Sequence, residues 1–410
     1  MAHLAINGGT PVRTKPFPQW PVYDERERAQ LREVLESGVW GIGSPKTAEF
    51  ERRWAEYVGT KFALSCTNGT HAIQIAAKAA GVTYGVEVIV PSYTFIATAS
   101  AVLEANGIPV FVDIEPDTYN IDPAAVEAAI TPHTRAVIPV YAGGRPPDLD
   151  AINEIARRHG ILVIEDAAEA HGSEWRGQRA GSIGDLGTFS FQSSKNLTAG
   201  EGGAVTTNDE RLFDLCYSYQ NVGRRREGGW YEHPILGTNN RMTAWQAAIL
   251  CAGLERLEEQ TNRRHRNGAW LEEQLSAIEG IRPMRSDERI TRHCYHLYML
   301  RYDRENFGGV PRERFLAALR AEGIPCSSGW TPLHRQEAIL RQAEEYPRAC
   351  VPQGRSLNYA QVHLPVTERI AAEEAVWFSQ TILLGEQADM QDIVDAIAKI
   401  RTHVDELRAT

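Results

Sequence analysis

The chain lacks the features that would place it in several large classes of protein. Its 410 residues hold six cysteines (Cys66, Cys216, Cys251, Cys294, Cys326 and Cys350), and no two form a Cys-x-x-Cys pair. That scatter argues against a zinc site and against a disulfide framework, and leaves reduced thiols in a cytoplasmic protein as the expectation. No metal is expected. Basic charge is not in excess, since 43 Lys and Arg stand against 53 Asp and Glu for a formal net charge of -10. Such a chain carries no footprint for nucleic acid or an anionic membrane, and neither is expected as a partner. Long hydrophobic runs are missing too. The most apolar stretch, residues 88–112, is broken by Pro91, Glu104 and Pro109 and is too polar to span a bilayer. No apolar segment follows the first charges, so no secretory signal is expected.

What is present is an ordinary globular composition, 43% hydrophobic, in a chain long enough for two cores. Pro11, Pro16, Pro18 and Pro21 block regular structure near the start, which predicts an N-terminal arm over residues 1–20. A helix is predicted over 24–36, then a loop over 38–43 with Trp40 packed. From residue 61 to 207 short β-rich runs alternate with helical ones, the runs falling at 62–67, 87–90, 109–114, 136–140 and 161–166. Alternation of this kind predicts βαβ units and a mainly parallel sheet covered on both faces. A long helical pattern at 243–278 is expected to leave a large domain (21–257) and enter a smaller C-terminal α/β domain (258–410). Within the latter a strand is expected at 296–302, a helix at 312–322, and helix again over 372–400 with a break near Leu384 and Gly385.

The organising stretch is Phe189-Ser190-Phe191-Gln192-Ser193-Ser194-Lys195-Asn196-Leu197-Thr198-Ala199-Gly200-Glu201-Gly202-Gly203-Ala204. It reads as a strand over 188–192, a small polar turn with one lysine, and a glycine-rich bend into a second strand over 204–207. Upstream, Ile161-Leu162-Val163-Ile164-Glu165-Asp166 is a buried parallel strand ending in acids, at the edge where open α/β sheets gather ligands. A lysine and an aspartate on one rim suit pyridoxal 5'-phosphate: Lys195 forms the Schiff base and Asp166 keeps the pyridine nitrogen protonated. Thr67-Asn68-Gly69-Thr70-His71-Ala72 leaves a strand and opens a helix over 72–80. Its free N–H groups, the bare Gly69 and the Thr70 hydroxyl suit a phosphate.

These residues, with Glu165-Asp166-Ala167-Ala168-Glu169-Ala170-His171-Gly172, resemble the DegT/DnrJ/EryC1/StrS family of sugar aminotransferases. The opening Leu4-Ala5-Ile6-Asn7-Gly8-Gly9-Thr10-Pro11-Val12 and the late Val376-Trp377-Phe378-Ser379-Gln380-Thr381-Ile382-Leu383-Leu384 are most similar to its keto-cyclitol branch, including scyllo-inosose aminotransferases, and to aminohydroxybenzoate synthases. The resemblance implies an aspartate aminotransferase-like fold (fold type I) and a homodimer with shared active sites. It implies Phe95 against the cofactor ring, Ser190 on the phosphate, and Asn239 crossing to the neighbouring subunit's phosphate. Glu169 is a departure, because many relatives carry Gln or His there. An ionised carboxylate beside the cofactor's phenolate would be repelled, so Glu169 is expected to be protonated or turned away. His296 and His334 lie in segments similar to substrate-side elements. Arg224, Arg225 and Arg226 are expected to be solvated.

The expected activity is transfer of an amino group from L-glutamine or L-glutamate to a ketone on a cyclitol or sugar ring, scyllo-inosose-like, with pyridoxamine phosphate as the intermediate cofactor form. Lys195 is expected to serve as both anchor and acid/base. A nucleotide-activated keto-sugar aminotransferase and an aminohydroxybenzoate synthase-like enzyme are alternatives on the same fold. A non-catalytic protein that keeps the cofactor fold for regulation is the alternative of another class.

Overall fold

Strands with no polar alternation need cover on both faces. The computed structural model, which describes residues 3–345 and 358–408, provides it with helices; Cys350 lies outside these residues. The chain runs from α1 (Glu25–Ser37) and α2 (Pro45–Val58) through β1 (Phe62–Cys66), α3 (Gly69–Ala79), β2 (Glu87–Pro91), α4 (Ala97–Glu104), β3 (Ile108–Val112), α5 (Pro123–Ala129), β4 (Thr134–Val137), α6 (Leu149–His159) and β5 (Leu162–Asp166). It continues through the two-residue strands β6 (Glu174–Trp175) and β7 (Gln178–Arg179) to β8 (Leu186–Ser190), β9 (Gly203–Thr207), α7 (Glu210–Gln220) and α8 (Ala244–Leu275). Seven strands form one sheet in the order β1-β9-β8-β5-β4-β2-β3. β8, β5, β4, β2 and β3 are parallel, and β9 runs against both β8 and β1.

One face of the sheet is closed by α3, α4 and α7 through Ala72, Ile75, Ala76, Val102 and Leu212. On the other face α2 and α8 press Phe50, Trp54, Leu250 and Leu257 against Phe189 and Phe191. The Trp54 and Phe189 rings meet edge-on, with centroids 4.9 Å apart. Helix α1 starts at a capping box between Asp24 and Glu27, which explains its legible N-terminus. Trp40, expected to be packed, is 48% exposed, with Val39 and Ile42 also exposed on the same loop. Its ring meets that of Trp245, with centroids 5.5 Å apart.

A second core surrounds an antiparallel sheet of β10 (Ile281–Pro283), β12 (Leu297–Tyr302) and β13 (Ala375–Ser379), in the order β10-β12-β13, while β11 (Ile290–Arg292) pairs with β6. Helices Arg312–Ala321 and Gln387–Thr402 and the end of α8 cover it with Phe315, Leu319, Ile393, Ile397 and Leu271. Here the structure corrects the sequence reading, because residues 375–379 were expected to be helical and form β13. Val376, Trp377 and Phe378 are β-prone, and four of the five strand residues are buried. Pairing with β12, Leu297 opposite Ser379 through Arg301 opposite Ala375, overrides the helical pattern of the flanks. No helix among the described residues is long and apolar enough to cross a membrane.

The N-terminal arm is strapped to this second core. Leu4 is fully buried in it, and buried Arg13 reaches Asp389 at 2.8 Å and Asp392 at 2.6 Å. A further clasp ties β2 to the segment Pro365–Arg369. The Ser92 hydroxyl lies 2.6 Å from His334 Nδ1 and accepts from the His334 amide, while His334 Nε2 donates to Glu368 at 2.9 Å. Burial pushes the Glu368 carboxyl up, but hydrogen bonds from His334 and Arg335 outweigh it and hold the pKa down at about 2 against an ordinary 4.5. A carboxyl depressed on folding stabilises above its unfolded pKa and loses that contribution as pH falls through the folded value. Glu368→Gln should therefore lower the urea midpoint at neutral pH, and its deficit relative to wild type should close as pH falls from 4.5 towards 2.

Candidate active site

In a parallel strand the last residues face the open edge of the sheet, and here the loops after β1, β2, β5 and β8 converge on one cavity of about 770 Å³. Asn68, Gly69, Thr70, Phe95, Thr98, Asp166, Glu169, Ser190, Lys195, His296, Trp330 and Trp377 are among the residues on its wall. The two side chains on which the sequence reading turns thus share one cavity.

Asp166 ends β5. Its Oδ2 accepts from the Thr98 hydroxyl at 2.8 Å, and Thr98 is in turn 3.1 Å from Thr94. Burial pushes its carboxyl above the usual range, with the Thr98 and Ala168 hydrogen bonds and the Lys195 charge pulling the other way. A buried carboxylate of this kind is stabilised by a cationic N–H partner within the cavity. Lys195 follows β8, on a turn closed by its own amide donating to Gln192 O at 2.9 Å. Its ammonium lies 3.2 Å from Glu169 Oε1.

Glu169 faces the lysine. Its second oxygen accepts from the Gly143 amide at 2.9 Å, so the carboxyl is held between a backbone donor and the lysine. His296 is buried, with Nδ1 3.2 Å from Asn196 Oδ1 and Nε2 3.5 Å from Glu169 Oε1.

At the neighbouring turn, Asn68 caps α3 by accepting from the His71 amide at 2.9 Å. The first amides of the helix thereby remain without intrahelical acceptors, and Gly69 and Ser190 come together at the same place. A Cβ on Gly69 would sit 2.6 Å from Ser190 Cβ and 3.1 Å from its hydroxyl. A helix N-terminus, a bare glycine and a hydroxyl make an anion cradle. Phe95 is 60% exposed, a cavity-edge aromatic and not a core residue.

Two of the expected residues lie elsewhere. His334 is fully buried outside the cavity wall, with both ring nitrogens engaged by Ser92 and Glu368, so it belongs to the clasp described above and not to the substrate side. Asn239 is exposed and outside its own chain's cavity, its backbone bridged to Asn221. Of the three arginines, Arg226 pairs with Glu210 and Asp214, Arg224 lies over the Trp230 ring at 4.0 Å, and Arg225 is exposed.

The sequence reading missed Thr94, Thr98, Asn196, Gln380 and the Trp330 and Trp377 wall. Thr94 and Thr98 stand one helical turn apart directly after β2, a spacing that could have suggested a shared acceptor. Trp377 and Gln380 lie in the late motif, where the helical expectation hid them. Gln380 Oε1 accepts from Arg264 Nε at 2.9 Å and Nη2 at 2.6 Å, and its Nε2 points to Ser194 O at 3.4 Å. A fully buried arginine therefore braces the lysine loop from behind.

An anion cradle, a buried carboxylate, a flanking aromatic and a lysine around one cavity fit pyridoxal phosphate. On an aspartate aminotransferase-like fold of type I they define a pyridoxal phosphate-dependent aminotransferase. More particularly, the chain belongs to the DegT/DnrJ/EryC1/StrS aminotransferase family, whose model matches residues 21–379. It is 40% identical to the L-glutamine:2-deoxy-scyllo-inosose aminotransferase of Streptoalloteichus tenebrarius, with 99% of each chain covered. Among solved structures it is similar to 3-amino-5-hydroxybenzoic acid synthase (TM-score 0.85, 35% identity, 94% of this chain and 98% of that one). It is also similar to DesI with its TDP-sugar product (TM-score 0.83, 32% identity, 99% and 98%).

The cradle yields a test. Gly69→Ala should weaken pyridoxal phosphate binding by about tenfold or more, roughly 1.4 kcal/mol, in a spectrophotometric titration of apoenzyme. Overpacking against Ser190 should cost the apoenzyme about 1–3 kcal/mol in a denaturant series.

Proposed function

We propose that this enzyme moves an amino group from L-glutamine or L-glutamate to a ketone on a polyhydroxylated carbocycle of the scyllo-inosose kind. The observation that carries this reading is the 40% identity, over 99% of each chain, with a glutamine:deoxy-inosose aminotransferase, joined to a cavity that holds Lys195, Asp166 and the anion cradle together. The first α3 amides, Thr70 and the Ser190 hydroxyl would hold the cofactor's phosphate, Asp166 would keep its ring nitrogen in the cationic form, and Phe95 would cover a ring face. When bound, the cofactor supplies an aldehyde carbon for the substrate nitrogen and an electron-withdrawing ring. Lys195 Nζ takes the proton from the carbon bearing the donor's amino group and later delivers a proton to the acceptor carbon that receives the nitrogen. Trp330, Trp377 and Leu297 wall the acceptor side and exclude water. Among the described wall residues Lys195 is the only cationic side chain, which favours an uncharged ring over a nucleotide diphosphate.

The same reading makes the enzyme a cytoplasmic homodimer, divided into arm, large and small domains near residues 20 and 257. Val22, Tyr23, Leu35, Trp40 and Ile42 are 40–67% exposed around the start of the chain, an apolar surface suited to a second copy. Exposed Asn239 would then serve the neighbour's phosphate cradle. Four of the five described cysteines are buried and all are free, in keeping with a reducing compartment.

Lys195→Ala should bind the cofactor only non-covalently and lose transamination by at least about 10²–10⁴-fold, the range for removal of an acid/base group. With wild type, kcat/KM for a free inosose should exceed that for a nucleotide-linked keto-sugar by about tenfold or more. The reverse order would move the enzyme to the nucleotide-sugar class.

A further inference from the structure

The residue after the lysine sets the hydrogen positions behind it. Asn196 is 1% exposed, and its Nδ2 donates to the Cys294 carbonyl at 2.9 Å. That contact fixes the amide orientation and turns Oδ1 towards His296 Nδ1, 3.2 Å away. A carbonyl oxygen only accepts, so Nδ1 carries the hydrogen, and Nε2 is the nitrogen free to gain or lose a proton. Nε2 faces Glu169 Oε1 at 3.5 Å, and the same oxygen faces Lys195 Nζ at 3.2 Å. Glu169 Oε1 therefore stands between the lysine and the imidazole, while its other oxygen is occupied by the Gly143 amide.

Burial limits the charge states this row can adopt. His296 is 5% exposed, Glu169 8%, and the Lys195 side chain 14%. A dry site disfavours net charge, so one carboxylate is matched by one cation. The cation can be the ammonium of Lys195 or the imidazolium of His296. In the first arrangement the Nε2 lone pair faces a carboxylate oxygen; in the second, Nε2–H donates to it. The other charged or titratable groups near the row are Asp166 from β5, His171 from the loop after β5, Cys294, and Arg264 from α8. Burial and the Lys195 charge, aided by His171 and Arg264, keep His296 neutral well below its ordinary range.

We propose that His296, acting through Glu169, accepts the proton that Lys195 must shed before its amine can attack the cofactor or serve as a base, and returns it afterwards. The Nζ–H bond breaks as Glu169 Oε1–H forms, and that O–H breaks as Nε2–H forms. The Nδ1–H bond to Asn196 is untouched, and the cation moves from one side of Glu169 to the other with no change in net charge. The inference rests on the functional reading above for the role of Lys195, but its test does not need turnover.

Apoenzyme is mixed with pyridoxal phosphate at neutral pH, and growth of the absorbance band of the lysine-bound cofactor is followed. His296→Gln places an amide where Nε2 stood and cannot take a proton. It should slow capture at neutral pH by about tenfold or more. Glu169→Gln should do the same, and the double variant should be no slower than the slower single variant. Should His296→Gln fail to fold by circular dichroism, Glu169→Gln carries the identical expectation. Rates within twofold of wild type, or losses that multiply in the double variant, would overturn the relay. Faster capture by Glu169→Gln at neutral pH would do so as well, since it would mean that Glu169 only stabilises the ammonium. Absence of the band in wild type would instead refute the functional reading.

Discussion

Two adjacent carboxylates end the central strand β5, and the pleat sends them to opposite faces of the sheet. Glu165 is fully buried on one side, where it accepts from the amides of Ile183 at 2.7 Å, Gly184 at 2.6 Å and Gly181 at 2.8 Å and from the Tyr141 hydroxyl. Burial pushes its carboxyl up and these four donors oppose it. Asp166, on the cavity side, has only the Thr98 hydroxyl and one long backbone contact at 3.3 Å. One acid is saturated by the fold and anchors the loop before β8, whereas the other keeps capacity for a ligand. The placement of β8, and with it of Ser190 and Lys195, depends on the first; the cofactor chemistry depends on the second.

The lysine is positioned from two directions. From the large sheet it is fixed by the turn after β8. From the smaller sheet, the segment 292–296 and the end of β13 reach across to it: Cys294 O and His296 Nδ1 engage Asn196, while the Gln380 amide donates to His296 O at 3.0 Å. Arg264 on α8 completes the brace, and burial lowers its pKa to about 10, with no carboxylate among the described residues hydrogen-bonded to it. A cation held this way is costly, which points to the value of a rigid lysine loop. Motion between the two cores would be felt directly at the reactive nitrogen.

The local signals in the chain were strong where an element has its own punctuation. Asp24 before α1, Asn68 before α3, and the glycine bend before β9 mark boundaries that the structure reproduces within a few residues. β13 was illegible because Val376-Trp377-Phe378 has no turn signal on its N-terminal side, and a short apolar run does not distinguish strand from helix. Trp40 and His334 show the same limit at the level of single residues. A tryptophan reads as core and a histidine beside a resembling motif reads either as structural or as substrate-facing, and only their neighbours reveal one as exposed and the other as part of a clasp.

By itself the sequence determined the alternation that builds a parallel sheet, the acids at the end of one strand, and the lysine on the turn of another, because each is a matter of residue type at short spacing. The tertiary structure alone decided that Glu169 faces the lysine, that Asn196 sets the hydrogen on His296, and that Gln380 joins Arg264 to the loop. Those contacts link residues 26 to 186 positions apart, and which buried polar groups meet across such distances follows from how the layers pack, a choice that local pattern does not encode.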